Sequence, residues 1–139
     1  MHKNSLEQTL EETPFPSDRL PVVRILAMPA DTNPAGHIFG GWIMSQMDIA
    51  GGIVAAGFAS GRVATVAVTS MEFHKPVFVG DLVSCFADIM KTGTTSITVH
   101  IDVFAQRWRA NRMQTFKVTE AVMVYVALTD AGQPRALST

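Results

Sequence analysis

Asp48 is the single charged residue between Ile38 and Gly61. It stands among Met44, Met47, Ile49 and Ile53, where a carboxylate resists ionisation unless something solvates or pairs it. Such positions are where general bases are tuned. The plainer reading is a helix aspartate at a solvent edge, or one paired with a cation such as Arg62. Upstream stand Gly40 and Gly41. A helix start offers unbonded N–H groups and the positive end of the helix dipole. Without side chains, the pair would let a carbonyl come close, which is the physical description of an oxyanion site. The plainer reading there is a tight turn or close helix–sheet packing. His37, on the loop that feeds the glycines, can donate a hydrogen bond or move a proton near neutral pH, unless it is an ordinary surface histidine.

Other chemistries find little support. Ser45 lies in "WIMSQ", which lacks the G-x-S-x-G elbow of a serine nucleophile. Cys85 falls in a strand, where a small buried thiol is the ordinary case. No GxGxxG or P-loop is present, so no bound nucleotide cofactor is expected. His37, His74 and Asp48 have no metal-ligand spacing, and His74 and His100 read as structural; no metal is expected.

These residues need elements to position them. "VVRILAM" (Val22–Met28) predicts a first strand, stopped by Pro29. "ADTNPAGH" (Ala30–His37) is dense in turn formers and predicts a loop. A helix is predicted from about Trp42 to Ala59, ended by Gly61; apolar residues cover most of its circumference, so a sheet should wrap it. The rest reads as four strands. Val63–Phe73 is followed by a turn at "HKPVFVGD" and by Leu82–Met90. After the "KTGTTS" turn, Ser96–Gln106 alternates, with Ile97, Val99, Ile101, Val103 and Ala105 on one face. "RWRANR" predicts a polar loop. Met113–Leu128 closes the set, with Phe116, Val118, Val122, Val124 and Val126 as its apolar positions. A single helix excludes a βαβ layer. The expected fold is α+β, one long central helix wrapped by a curved antiparallel sheet. Its open edge would be covered by self-association.

The 139 residues fit one domain, and 47% apolar residues are enough for a core. A net charge of −1 gives no reason to expect nucleic acid. One cysteine forms no internal disulfide and fits a reducing, cytoplasmic setting. Residues 1–20 are polar and acidic, without the pattern of a secretory signal, and read as a flexible arm before a single domain at 21–139. Ile38–Gly61 is long enough to cross a bilayer, but Ser45, Gln46, Asp48 and its glycines favour a buried core helix.

Taken together, "LAMPADTNPAGHIFGGWIMSQMDIAGG", "RVATVAVTSMEFHKPVFVGD" and "KTGTTSITV" resemble the hot-dog-fold acyl-CoA thioesterases, closely those of the YciA type. The resemblance covers about Val22 to Leu137 and implies a helix wrapped by five or six strands. It implies hydrolysis of acyl-CoA to a free acid and CoA without a cofactor, CoA being part of substrate and product. Asp48 would be the catalytic carboxylate, as general base or nucleophile. Gly40 and Gly41 would polarise the thioester carbonyl from a partner subunit, in hexamers built as trimers of dimers. The CoA portion would run near Lys91, Gly93, Thr94 and Ser96, with Asn33, Arg62 and Lys75 as further candidates. His37 departs from the pattern, which usually has Asp in "GDIFGG". Two alternatives remain at this stage. One is a non-catalytic acyl-CoA-binding protein. The other is a hydroxyacyl thioester dehydratase using His37 and Asp48, although "HIFGGW" lacks the prolines that follow the histidine in those enzymes.

Overall fold

The computed structural model describes residues 12–137. Strand β1 (Val23–Leu26) leads through a 3-10 turn (Pro29–Asp31) to helix α1 (Gly40–Ala59). Strands β2 (Val63–Phe73), β3 (Leu82–Thr92), β4 (Ser96–Arg109) and β5 (Arg112–Ala127) follow. All pair antiparallel in one sheet of order β1-β3-β4-β5-β2. The sheet is five-stranded, and α1 packs against its inner face. Met47, Ala50 and Ala55 of α1 are fully buried with Val99, Ile101 and Met123 of the sheet. The helix is long and apolar enough to span a membrane by composition alone; packing on the sheet buries one face of it, while Met44, Ile49, Ile53 and Phe58 stay exposed.

Helix α1 begins two residues before its expected start, so both glycines lie in its first turn. Its end also differs. Ser60, not Gly61, takes the left-handed conformation (φ 54°), and the N–H groups of Ser60 and Gly61 cap the Ala56 carbonyl. Two strand expectations need correction. "RWRANR" is not a loop: β4 runs on to Arg109 and β5 starts at Arg112, with only Ala110 and Asn111 turning, both at positive φ (54° and 60°). That is the backbone of a tight two-residue hairpin. In β5 the inward positions change parity. Val103 pairs with Thr119 but Phe104 pairs with Lys117, leaving Val118 as an extra residue. Past this bulge the buried side chains are Ala121, Met123, Tyr125 and Ala127, while Val122, Val124 and Val126 take the outer face.

The outer face of β3 and β4 is covered by the chain's own residues after Glu12. Phe15 stacks edge-on against Phe86 and Phe104, with centroids 5.4 and 6.0 Å away. Arg19 pairs with Asp88 and Asp102. Of the arm expected over 1–20, residues 1–11 lie outside the described part of the chain. The two sheet edges are unlike. β1 has four residues, whereas β2 has eleven and is exposed along most of its length.

Candidate active site

Asp48 lies in the third turn of α1, half-buried, facing the β2–β5 pair. Its Oδ1 accepts two hydrogen bonds, from the Thr65 hydroxyl (2.6 Å) and the Tyr125 hydroxyl (3.0 Å). Thr65 and Tyr125 are directly opposite each other across β2 and β5, so one rung of the sheet supplies both donors. Arg62 is not the partner; its guanidinium bonds the Asp130 carbonyl. Oδ2 takes no hydrogen bond among the described residues. Asp48 borders an open hollow of about 240 Å³ with Met44, Ser45, Thr65, Val68 and Met123. The arrangement is a carboxylate fixed by one oxygen, with the other available to a water molecule in an apolar recess.

A second hollow, of about 300 Å³, sits at the helix start. Asn33, His37, Gly40, Phe73, His74 and Lys75 are among its lining residues. The loop entering it is tightly tied. The Asn33 side-chain oxygen accepts the N–H groups of Ala35 and His37, and the Asn33 N–H bonds the His37 carbonyl. Gly36 supplies the positive φ (88°) that this turn requires. Ile38 N–H bonds the Val77 carbonyl. The Trp42 and Ile43 N–H groups bond Phe39, while those of Gly40 and Gly41 have no carbonyl one turn earlier to meet. A Cβ at Gly41 would meet nothing within 4 Å, and one at Gly40 only the edge of Phe73 at 3.5 Å. Packing within the chain therefore does not demand these glycines. His37 is half-buried, edge-on to Phe78 at 5.1 Å.

The structure brings His37, Gly40, Asn33 and Lys75 together at one end of α1. It places Arg62, Lys91, Gly93, Thr94 and Ser96 at the other. Gly93 and Thr94 form the β3–β4 turn, where the Gly93 N–H bonds the Ser96 carbonyl. Beside it, Arg62 and Arg135 line a hollow of about 420 Å³ at the helix C-terminus. Asp48 lies between these two groups.

His74 and His100 belong to the outer face. Their Nε2 atoms lie 3.2 and 3.4 Å from the two oxygens of Glu120. Burial alone would raise the Glu120 pKa, but bonds from these histidines and Lys117 hold it below its ordinary value. Ligand-type atoms of Glu72, His74 and Glu120 lie within 4.8 Å of one another, as do those of His100, Asp102 and Glu120. Lys117 and Arg19 already lie beside these acids. Cys85 is buried, which pushes its thiol up to about 12 and leaves it unreactive.

Sequence reasoning missed Thr65 and Tyr125. Tyr125 is the only tyrosine of the chain. A phenol at an inward strand position must find a partner, and that was the available signal.

A thioesterase superfamily model matches residues 35–108. The acyl-CoA thioester hydrolase YciA of Escherichia coli strain K12 is 52% identical over 117 residues, which is 84% of this chain and 89% of that protein. Among solved structures, the hexameric thioesterase y2039 from Yersinia pestis is 53% identical with a TM-score of 0.80, covering 88% of this chain and 98% of that one. Cj0915, a hexameric hotdog fold thioesterase of Campylobacter jejuni, is 43% identical with a TM-score of 0.84, covering 86% and 91%.

Proposed function

Since the chain belongs to the thioesterase superfamily, as an acyl-CoA thioester hydrolase of the YciA type, we propose that Asp48 is its general base and that two subunits share each site. Asp48 Oδ2 takes a proton from water. The water oxygen attacks the thioester carbonyl carbon, and the carbonyl oxygen becomes an oxyanion. Helix-start N–H groups at Gly40 and Gly41 stabilise that charge. The C–S bond then breaks, and the CoA sulfur leaves with the proton from Asp48. The observation that carries this reading is the fixation of Asp48 by one oxygen beside a hollow.

Distance supports a site shared by two subunits. Asp48 is eight residues from Gly40, about 12 Å along the helix axis, and the two open into different hollows. One thioester carbonyl cannot meet both within a chain. The long exposed edge of β2 supplies the means of association, together with the exposed Met44, Ile49, Ile53 and Val68. A two-fold axis through the middle of β2 reverses α1 in the partner. It brings the partner's helix start towards the Arg62 and Lys91 end of this chain. CoA would then lie along Lys91, Gly93, Thr94, Ser96 and Arg62, with Asn33, His37 and Lys75 entering from the partner. Dimers of this kind would assemble further into trimers of dimers.

The test is Asp48→Ala. Turnover of acyl-CoAs of graded chain length, followed by thiol release, should fall on the order of 10²-fold or more, with the circular dichroism spectrum and oligomer size unchanged. A correctly assembled Asp48→Ala protein with wild-type turnover on every substrate would overturn the assignment.

A further inference from the structure

We infer that Tyr125 is a positioning residue that holds Asp48 in its working orientation, and that Gly51 is kept free of a side chain so that the Tyr125 hydroxyl can reach it. The inference rests on Asp48 being the base.

The hydroxyl lies 3.0 Å from Asp48 Oδ1 and 3.2 Å from the Asp48 carbonyl oxygen. It has one proton to donate; the two nearer acceptors both belong to Asp48, and Met123 Sδ lies farther off at 3.5 Å. The Tyr125 residue is only 1% exposed, and its ring belongs to β5, which is paired on both sides. Thr65, the other donor, sits on the exposed edge strand beside a register shift. Thr65 is exposed and borders the hollow. Of the two anchors, Tyr125 is the fixed one. Burial and the neighbouring Asp48 carboxylate both push the phenol pKa up, so it remains a donor wherever the enzyme works.

Gly51 stands three residues after Asp48 on the same helix face. A Cβ there would lie 2.3 Å from the Tyr125 hydroxyl, 2.9 Å from its Cζ and 3.0 Å from Ile101 Cδ1. These are atoms of packed side chains in the core. A buried helix-interior glycine is unfavourable relative to alanine, and here the close approach of Tyr125 explains it.

Both donors bond Oδ1, so Oδ2 is left as the proton-accepting atom. Loss of the Tyr125 donor would let the carboxylate rotate. Tyr125→Phe keeps the ring and deletes only the hydroxyl. It should lower kcat by about tenfold, as loss of a hydrogen bond to a charged group does, with KM little changed. Gly51→Ala should lower kcat in the same way with KM little changed, and its defect should not multiply with that of Tyr125→Phe. If Gly51→Ala fails to fold, Tyr125→Phe carries the test alone. Asp48→Asn is measured alongside. An inactive Asp48→Asn enzyme together with a Tyr125→Phe enzyme of unaltered kcat would overturn this inference alone. An active Asp48→Asn enzyme would overturn it together with the reading on which it rests.

Discussion

The hollow at Asp48 and the hollow at the helix start lie about two turns apart on α1, and they are held by different means. In the proposed mechanism the working group at Asp48 is a side chain. Its position depends on other side chains in the core: Thr65 and Tyr125 on one rung of the sheet, and space left at Gly51. At the helix start the proposed working group is backbone. The loop before it is held from behind by a buried ion pair. Arg107 bonds both oxygens of Asp81 at 2.9 and 2.8 Å, and Asp81 accepts the Phe78 N–H. Arg107 also lies over the rings of Phe78 and Phe116, 4.7 Å from each centroid. That turn in turn holds Ile38 through the Val77 carbonyl. A carboxylate tolerates no change of residue type but is insulated by the core. A backbone site tolerates many changes of side chain, provided none fills the space in front of it.

The strongest way to break this comparison is to fill that space. Gly41→Leu adds a side chain at a position where a Cβ meets no packed atom within 4 Å. The thermal midpoint should hold or rise, because leucine is the better helix former. Turnover should fall on the order of 10²-fold, as removal of oxyanion stabilisation does. A Gly41→Leu enzyme with full turnover would remove the helix start from the mechanism. Mixing then asks whether the halves come from different chains. Gly41→Leu and Asp48→Ala protomers should each be nearly inactive alone. Refolded together in equal amounts, they should regain about a quarter of wild-type activity, since half the pairs are mixed and each mixed pair has one intact site. No recovery after demonstrated subunit exchange would place both halves in one chain.

A smaller effect, on stability, should come from the scaffold of the helix start. Arg107→Ala leaves the Asp81 carboxylate buried and unpaired; its side chain is 2% exposed. Breaking a buried pair from one side costs about 3–5 kcal/mol, to be read from urea unfolding. A loss below about 1 kcal/mol would show that the pair behaves like a surface one.

The two hollows also differ in how far the sequence disclosed them. The helix-start hollow was legible because its parts are local: Asn33, Gly36, His37, Gly40 and Gly41 fall within nine residues, and turn chemistry reads at that range. Asp48 stood out as the one charge in an apolar helix. Its anchors did not, because Thr65 and Tyr125 are sixty residues apart in sequence and meet only through the β2–β5 register. The Val118 bulge hid Tyr125 further, since alternation read from Phe116 assigns the inward face to Val122, Val124 and Val126. Periodicity cannot anticipate an extra residue that shifts parity. The "RWRANR" segment failed for a related reason. Its charges suggested a loop, yet a two-residue turn needs only two residues that accept positive φ, and Ala110 and Asn111 take that role.

His37 offers the finest test of the comparison, because it sits on the hollow whose working group is backbone. Its N–H is tied to Asn33 and its ring packs against Phe78. These contacts fix the loop without requiring an imidazole at the reacting carbon. The resemblance to the YciA type implies aspartate at this position, so His37→Asp should keep or raise thioester hydrolysis. A carboxylate there would gain from the positive end of α1. If instead His37→Asp abolishes hydrolysis while leaving the oligomer intact, the imidazole takes part in the reaction itself. The helix-start hollow would then depend on a side chain, as the Asp48 hollow does, and the contrast between the two would fail.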